Sequence, residues 1–255
     1  MKNIWVICQK ELRSYFVSPV AYILFIMFAL IFGWFFWNMV GAFIFYSMES
    51  QMRGEMFPMN VNDQIVRQLL GNMNVVNLFF VPLMTMRLFA EEKRNGTIEL
   101  LATSPIRDVE IILGKWLASV LLYAAMLFVT GLNFAFLFKY GNPDWKPMAV
   151  GYLGVLLQAA ALLALGTFIS TLTKNQIIAG TVTFGVCLLI FVLGWVGGYQ
   201  SGTWADVVTY ISTTTHMDSF VKGVIDTKDA IYYLSVIFLG LFLTARSLES
   251  LRWRA

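Results

Sequence analysis

The sequence predicts an all-α, polytopic membrane protein with six transmembrane helices, and three observations support this prediction. Hydrophobic residues make up 58% of the 255 residues and charged residues only 13%, whereas a soluble domain carries about a quarter charged residues. The apolar residues are gathered into six long runs, which suit helices that cross roughly 30 Å of hydrocarbon. No Asp, Glu, Lys, Arg or His lies deep inside any of these runs.

Residues 1–19 precede the first run and predict an amphipathic helix at the membrane interface. Gln9, Lys10, Arg13 and Ser14 face away from its apolar side. The apolar residues that recur at helical spacing are Trp5, Cys8, Leu12, Tyr15 and Phe16. Ser18-Pro19 then turns the chain into the bilayer.

The predicted transmembrane helices cover residues 21–46, 74–90, 111–138, 149–173, 177–199 and 230–248. The second is short and contains Pro82, which predicts a kink. Residues 47–73 form a polar segment with helical potential of its own, and residues 200–229 form a second long polar segment. Six spans place both chain termini on the same side of the membrane.

The orientation follows from the distribution of Lys and Arg, which are enriched in cytoplasmic loops. The side with the termini holds twelve of them, and the other side holds six. The termini are therefore predicted to be cytoplasmic. Residues 91–106, which connect the second span to the third, lie on the same side.

Residues 91–106 are the most polar interruption between two spans. Asn95-Gly96 is a turn dipeptide, Thr97 can cap a helix, and Ser104-Pro105 can end one. The pattern predicts a short, exposed, amphipathic helix over residues 97–103. The alternative is a solvated loop whose charges only set the orientation, although Glu91, Glu92 and Glu99 contribute little to that purpose.

Several function classes are disfavoured. A net charge of +3 without a basic, aromatic-rich run argues against nucleic acid as a partner. No Gly-Lys-Ser/Thr phosphate loop is present, because Gly114-Lys115 is followed by Trp116. If ATP drives the protein, another chain binds it. The uncharged spans also disfavour a proton- or ion-coupled secondary carrier.

No cofactor, metal or catalytic group is predicted in this chain. Met48, Met52, Met56 and Met59 form a thioether face that could attract Cu(I), but neither Cys nor His joins them, so apolar packing is favoured. His216 has only Asp218 nearby in the sequence, and a lone His with one carboxylate predicts a polar surface or gate residue. Cys8 and Cys187 lie in different environments, which argues against a disulfide.

The run Glu91-Glu92-Lys93-Arg94-x-Gly96-Thr97-x-Glu99-Leu100-Leu101-x-Thr103-x-Pro105-Ile106 resembles the membrane permeases of type-2 ABC exporters. Among them the chain is most similar to the gliding-motility-associated permeases known as GldF, and next to the nitrous-oxide-reductase maturation permeases known as NosY. A second similar stretch runs from Phe220 to Asp226 and leads into the last span. The resemblance covers nearly the whole chain.

The resemblance implies that residues 97–103 are a coupling helix docking on an ABC ATPase subunit, and residues 1–19 an elbow helix. Ile98, Leu100 and Leu101 would supply the apolar contact, while Glu91, Arg94 and Glu99 would set its register. The expected ATPase-docking residues are Glu91, Glu92, Arg94, Gly96, Thr97, Ile98, Glu99, Leu100, Leu101 and Pro105. A second cytoplasmic contact is expected at Lys174, Asn175 and Gln176. Residues 200–229 would form short re-entrant helices near an external gate, with gate residues His216, Phe220, Gly223 and Asp226.

The implied complex contains two permease chains, the same or different, and two ATPases that carry ATP and Mg²⁺, in the bacterial inner membrane. Lipid and a periplasmic or external-domain subunit are further expected partners. The expected function is that of an exporter subunit which is not itself an enzyme. The alternative is a mechanotransmission or anchor subunit that passes ATPase energy to periplasmic machinery without moving a substrate.

Overall fold

The computed structural model describes residues 2–54, 60–98, 106–141, 143–199 and 203–252. These residues are almost entirely helical, and none of them lies in a strand. In chain order the helices are α1 (Lys2–Val17), α2 (Pro19–Arg53), a π-helical turn (Asn62–Val66), α3 (Arg67–Thr85), α4 (Ala90–Asn95), α5 (Asp108–Tyr140), α6 (Trp145–Leu172), α7 (Gln176–Tyr199), α8 (Thr203–Ile211), α9 (Thr213–Val221) and α10 (Thr227–Arg252).

Six helical segments in the described residues are long and apolar enough to cross a membrane. They are Pro19–Arg53, Asn62–Asn95, Asp108–Tyr140, Trp145–Leu172, Gln176–Trp195 and Thr227–Ser250. This confirms the predicted fold class, an all-α polytopic membrane protein.

Two helices near the N-terminus extend further than the sequence pattern suggested. Helix α2 continues to Arg53 and ends at Gly54, whose φ of 69° is the left-handed conformation that glycine adopts readily. The second spanning segment begins at Asn62 rather than near residue 74. The polar segment between the first two spans is therefore largely helical, because Ile65, Val66 and Leu69 are buried against neighbouring helices.

The helical break in the second span lies beyond its proline. Helix α3 continues past Pro82 to Thr85, and the Met86 N–H still donates to the Pro82 carbonyl at 2.9 Å. Residues 86–89 then form a turn before α4 starts at Ala90. The regular helix is thus interrupted directly before the charged segment.

The helices α3 and α6 form the inside of the bundle. About two thirds of their most apolar stretches is buried, 67% and 61%, compared with 17% for α7. Small residues on α6 and α10 allow this close packing. A Cβ atom on Gly166 would lie 2.4 Å from Thr85 Oγ1, and one on Gly240 would lie 2.7 Å from the Ala164 backbone. There is no space for a side chain at either glycine. These two contacts therefore fix the spacing of the central helices.

The polar side chains inside the bundle bond to one another. The Tyr123 hydroxyl donates to Asn77 Oδ1 at 2.5 Å, and Asn77 Nδ2 donates to Gln158 Oε1 at 3.3 Å. The Gln158 amide in turn donates to Asn74 Oδ1. These buried groups are satisfied within the chain, so they cross-link α3, α5 and α6.

Candidate functional site

The charged segment that follows the second span begins as a short helix. Helix α4 carries Glu91, Glu92, Lys93 and Arg94 and ends at Gly96, whose φ is 72°. The N–H groups of Gly96 and Thr97 both donate to the Glu92 carbonyl, which is the bonding pattern of a glycine-terminated helix. The predicted Asn95-Gly96 turn is present, and it ends a helix that the sequence pattern did not predict.

Lys115 of α5 is the centre of the site. Its ammonium group lies 2.9 Å from Glu11 Oε1 of α1 and 2.9 Å from Glu92 Oε1 of α4. It also donates to the Leu88 carbonyl at 2.8 Å, and its side chain is only 2% exposed. One buried lysine therefore joins α1, α4 and α5 at the end of the bundle that is predicted to be cytoplasmic.

The cluster around Lys115 holds two carboxylates and one ammonium group. The second oxygen of Glu92, Oε2, is buried and has no hydrogen-bond partner among the described residues. Breaking a buried ion pair by removing one partner typically costs about 3–5 kcal/mol, since the remaining charge stays desolvated. We expect the stability of this cluster to depend strongly on Lys115.

The face of α1 that meets the bundle is set by Cys8 and Tyr15, both fully buried. The Tyr15 hydroxyl donates to the Met84 carbonyl at 2.6 Å, and the Arg87 guanidinium lies 4.6 Å from the centre of the Tyr15 ring. Burial raises the pKa of Tyr15 well above its usual value, so the hydroxyl remains a donor. Trp5 and Phe16, predicted on the same apolar side, are instead exposed.

Close backbone approach completes the contact between α1 and α5. A Cβ atom on Gly114 would lie 2.7 Å from the Ile7 side chain. Asn3 Nδ2 donates to Glu110 Oε2 at 3.1 Å, one turn before Gly114. Helix α1 is thus attached along the first two turns of α5.

The other side of α4 is attached to α6. Ser170 Oγ accepts the N–H groups of Phe89 and Ala90 at 3.0 and 3.1 Å, and the Lys93 ammonium donates to the Thr171 carbonyl. The Thr171 hydroxyl donates to Ser247 Oγ at 2.8 Å. A movement of α4 would therefore reach α6 and α10 as well as α1 and α5.

The predicted second contact, at 174–176, lies beside this attachment point. Lys174 is exposed in the turn between α6 and α7. Asn175 starts α7, because its Oδ1 accepts the Ile177 N–H at 2.9 Å, and Gln176 is the first residue of the helix. Lys93, through Thr171, brings α4 close to this turn, so the two predicted cytoplasmic contacts are adjacent.

The predicted docking residues fall into three groups. Glu91, Arg94, Gly96 and Thr97 are exposed, and Ile98 is partly buried. Glu92 faces inward to Lys115, so its role is to position α4 rather than to present a free carboxylate. Outside the described residues lie Glu99, Leu100, Leu101 and Pro105, with most of the predicted coupling helix over 97–103.

The predicted external residues lie at the opposite end, around α8 and α9. His216 and Phe220 of α9 are buried, and Phe220 packs against Gly154 of α6. Gly223 ends α9 with a φ of 79°, and a Cβ there would lie 2.7 Å from Pro147. The Asp226 carboxylate accepts the Lys228 N–H at 3.0 Å at the start of α10.

The partner of His216 differs from the one suggested by sequence proximity. Its Nδ1 lies 2.7 Å from Asp229 Oδ1, whereas Asp218 is exposed. His216 is 7% exposed, so it is a buried residue and not a surface one. The reason is that Asp229, on the first turn of α10, faces the same interior space as His216.

Sequence reasoning missed Lys115, Glu11 and Asp229. Lys115 lies in an otherwise apolar run, which is a signal that could have found it, because a lysine in such a run needs a partner. Nothing in the sequence pairs it with Glu11, 104 positions away.

Only half of the predicted thioether face lies in the described part of the chain. Met48 and Met52 are exposed on α2, while Met56 and Met59 lie outside the described residues. No group of three or more His, Cys, Asp or Glu residues that could hold a metal ion occurs in the described ranges.

Comparison with known proteins gives one informative result. The family model for ABC-2 family transporter proteins matches residues 47–245, which is most of the chain and includes α4, α5 and both external helices. Comparison with curated proteins gave no match.

Proposed function

Since the chain belongs to the ABC-2 transporter family, it is a membrane permease component of an ABC transporter, and we propose that it couples ATP hydrolysis by a separate ATPase subunit to export across the bacterial inner membrane. The family implies an ABC ATPase as partner. ATP and Mg²⁺ bind to that partner, and the present chain supplies the transmembrane pathway.

The observation that carries this proposal is the attachment of α4 to the bundle. Helix α4 leads directly into the proposed docking segment, and Lys115 ties it to both α1 and α5. Ser170 and Thr171 tie it to α6. A force that an ATPase exerts on residues 91–105 would thus be transmitted to α1, α5 and α6, and through Thr171 to α10.

In the proposed mechanism, closure of the ATPases moves α4 and the docking segment together. Exposed Glu91 and Arg94 set the register on the ATPase, while Ile98, Leu100 and Leu101 supply apolar contact. The turn at 174–176 is the smaller second contact. The bundle relays the movement to the external gate around His216, Phe220, Gly223 and Asp226, by alternating access or lateral extrusion.

The complex is proposed to contain two permease chains. The finer resemblance to the gliding-motility-associated permeases allows a second, different permease with a large external domain as partner, in addition to lipid. A copy of the same chain is the other arrangement. The composition of the isolated complex distinguishes the two.

Purification of the intact complex through a tag on this chain tests the proposal. An ABC ATPase should co-purify, and Leu101→Asp should abolish the association and the ATP-driven activity. Val224→Asp, at an exposed apolar residue of the external turn, is the matched control and should leave both intact. Full ATPase association in Leu101→Asp would show that the docking assignment is wrong.

The same preparation distinguishes export from force transmission. An exporter should show ATPase activity that a co-purifying small molecule or lipid stimulates when it is added back. Absence of any such stimulation, with the ATPase still bound, would contradict export and favour a transmission subunit.

A further inference from the structure

His216 is the only histidine of the chain, and both of its ring nitrogens meet hydrogen-bond acceptors. Nδ1 lies 2.7 Å from the Asp229 carboxylate of α10, and Nε2 lies 2.9 Å from the Tyr210 carbonyl of α8. The imidazole itself belongs to α9. The ring therefore bridges three helices through two short polar contacts.

This geometry requires one more proton than a neutral imidazole beside an ionised carboxylate can provide. A carbonyl oxygen only accepts, so Nε2 must carry a hydrogen to bond to Tyr210. Nδ1 and the carboxylate oxygen of Asp229 both carry lone pairs, so a second proton must lie between them. A neutral histidine has only one N–H and can satisfy one side, not both.

We propose that His216 and Asp229 form a proton-binding site that holds α8 and α9 against α10. The site lies among the proposed gate residues, but the contacts that carry it do not involve the ATPase-docking segment. Its ligand is a single proton taken from the external side. With the proton bound, both contacts of His216 are made.

The surroundings of His216 indicate that the site controls the joint between α8 and α9. The Tyr232 hydroxyl donates to the Ile211 carbonyl at 2.5 Å, and the Tyr233 hydroxyl donates to the Thr213 carbonyl at 2.8 Å. The Tyr232 ring stacks on the imidazole with ring centres 3.9 Å apart. Three backbone carbonyls at this joint are thus held by side chains packed around one ring.

The other charged groups near the site are few. Asp206 on α8, Asp218 on α9, Lys222 in the following turn and Lys228 on α10 are exposed, and Asp226 before α10 is partly buried. In the described residues none of them forms an ion pair with His216 or Asp229. Of the other helices packed on α9, α7 has no charged residue, and α3 and α6 have one each. Those are Arg67 and Lys146. The remaining titratable groups that face the ring are the hydroxyls of Tyr210, Tyr232 and Tyr233.

Loss of the proton breaks one of the two contacts. Either the bond to Tyr210 is lost, or the Nδ1 lone pair faces a negative carboxylate. We call the arrangement with both contacts the closed form, and an arrangement in which α8 and α9 leave α10 the open form. Because the closed form binds a proton that the open form releases, the closed form is favoured at low pH. Its population relative to the open form should fall by up to about tenfold per pH unit over the range in which the proton is lost.

Nitrogen NMR of the full chain in lipid nanodiscs tests the proposal directly, because a single histidine gives one pair of ring-nitrogen signals. With ¹⁵N-labelled histidine, spectra are recorded over a pH series. In the proton-bound form we expect Nε2 to be protonated and Nδ1 to be protonated and strongly hydrogen-bonded, and both signals should change together as pH is raised. A proton-bound form without a strong hydrogen bond at Nδ1, or signals that do not change over the series, would overturn the proposal.

The Asp229→Asn variant distinguishes a proton-binding site from a hydrogen bond that has only a structural role. Its amide can donate to Nδ1 of a neutral imidazole, so this variant should keep α8 and α9 in place while losing the paired titration and the pH dependence of thermal stability. Asp218→Asn, at an exposed carboxylate on α9, the helix that carries His216, should keep both. If Asp229→Asn titrated as the unmodified chain does, the proton-binding site would be ruled out.

Discussion

The two ends of this membrane protein use buried charge in opposite ways. At the predicted cytoplasmic end, the ammonium group of Lys115 is shared by Glu11 and Glu92. At the external end, His216 meets one carboxylate, Asp229, and carries a charge only when it is protonated. The first cluster has the properties of a fixed joint, and the second has those of a joint that a proton can open.

The difference follows from the chemistry of the two cations. A lysine ammonium has three donors and can serve several acceptors at once, as Lys115 does with two carboxylates and the Leu88 carbonyl. An imidazole has two sites in fixed positions and changes charge near physiological pH. We infer that the cytoplasmic end is built to transmit force and the external end to change state.

The largest expected effect comes from removing the cytoplasmic cation. Lys115→Met keeps the length of the side chain but leaves two partly buried carboxylates without the ammonium group. We expect a loss of about 3–5 kcal/mol in the free energy of unfolding. Denaturant titration of the purified chain measures this loss, and Lys174→Met, at an exposed lysine, is the control.

If Lys115→Met were as stable as Lys174→Met, the cytoplasmic cluster would not be a structural joint. The triple variant Lys115→Met, Glu11→Gln, Glu92→Gln should recover part of the loss, because it removes the unpaired charges. Failure of this recovery would indicate that packing, rather than charge, explains the effect.

A smaller effect is expected from the glycine that ends α9. Gly223→Ala places a Cβ in a left-handed backbone conformation and 2.7 Å from Pro147, so we expect about 1–3 kcal/mol of destabilisation. Gly54→Ala, at φ 69° with open space around it, has the backbone strain without the clash and should cost less. Thermal unfolding of both variants gives the comparison, and equal losses would show that the contact with Pro147 does not contribute.

Removal of a single hydroxyl near His216 should have a still smaller effect on stability. Tyr232→Phe removes the bond to the Ile211 carbonyl and is expected to cost about 1 kcal/mol. Tyr210→Phe, at an exposed ring, is the control and should be close to neutral. Thermal unfolding near neutral pH measures both, and an unchanged Tyr232→Phe would weaken the view that α10 holds the α8–α9 joint.

The smallest effect is expected at the exposed ion pair on α2. Arg53 and Glu49 have side chains that are 64% and 39% exposed, and such pairs contribute about 0–1 kcal/mol. Arg53→Gln should therefore change stability far less than Lys115→Met under the same conditions. A loss as large as that of Lys115→Met would show that burial is not what separates the two kinds of ion pair.

The fold class could be predicted from the sequence because each spanning helix carries its own signal. Long apolar runs without charge can cross a bilayer only as helices, and turn residues such as Asn95-Gly96 punctuate them. Boundaries were less predictable. The second span starts earlier than expected. Ile65 and Val66 are buried and extend the helix into a segment that the sequence pattern had classed as polar.

The candidate site was predictable only where it is local in sequence. The charged run at 91–94 and the turn at 174–176 are visible as polar residues between apolar runs. The positions of Glu11 and Lys115 relative to Glu92 are not, since their meeting depends on how α1, α4 and α5 pack. For the same reason, sequence proximity paired His216 with Asp218 instead of Asp229.

The sequence by itself determined that this chain is a six-span helical membrane protein with a charged segment between its second and third spans. It did so because hydrophobicity, turn chemistry and charge bias are properties of neighbouring residues. Only the tertiary structure decided which charges are buried together, because ion pairs between distant positions form when helices pack and no local pattern records the partner. Lys115 and His216, at opposite ends of the bundle, both acquired their partners in this way.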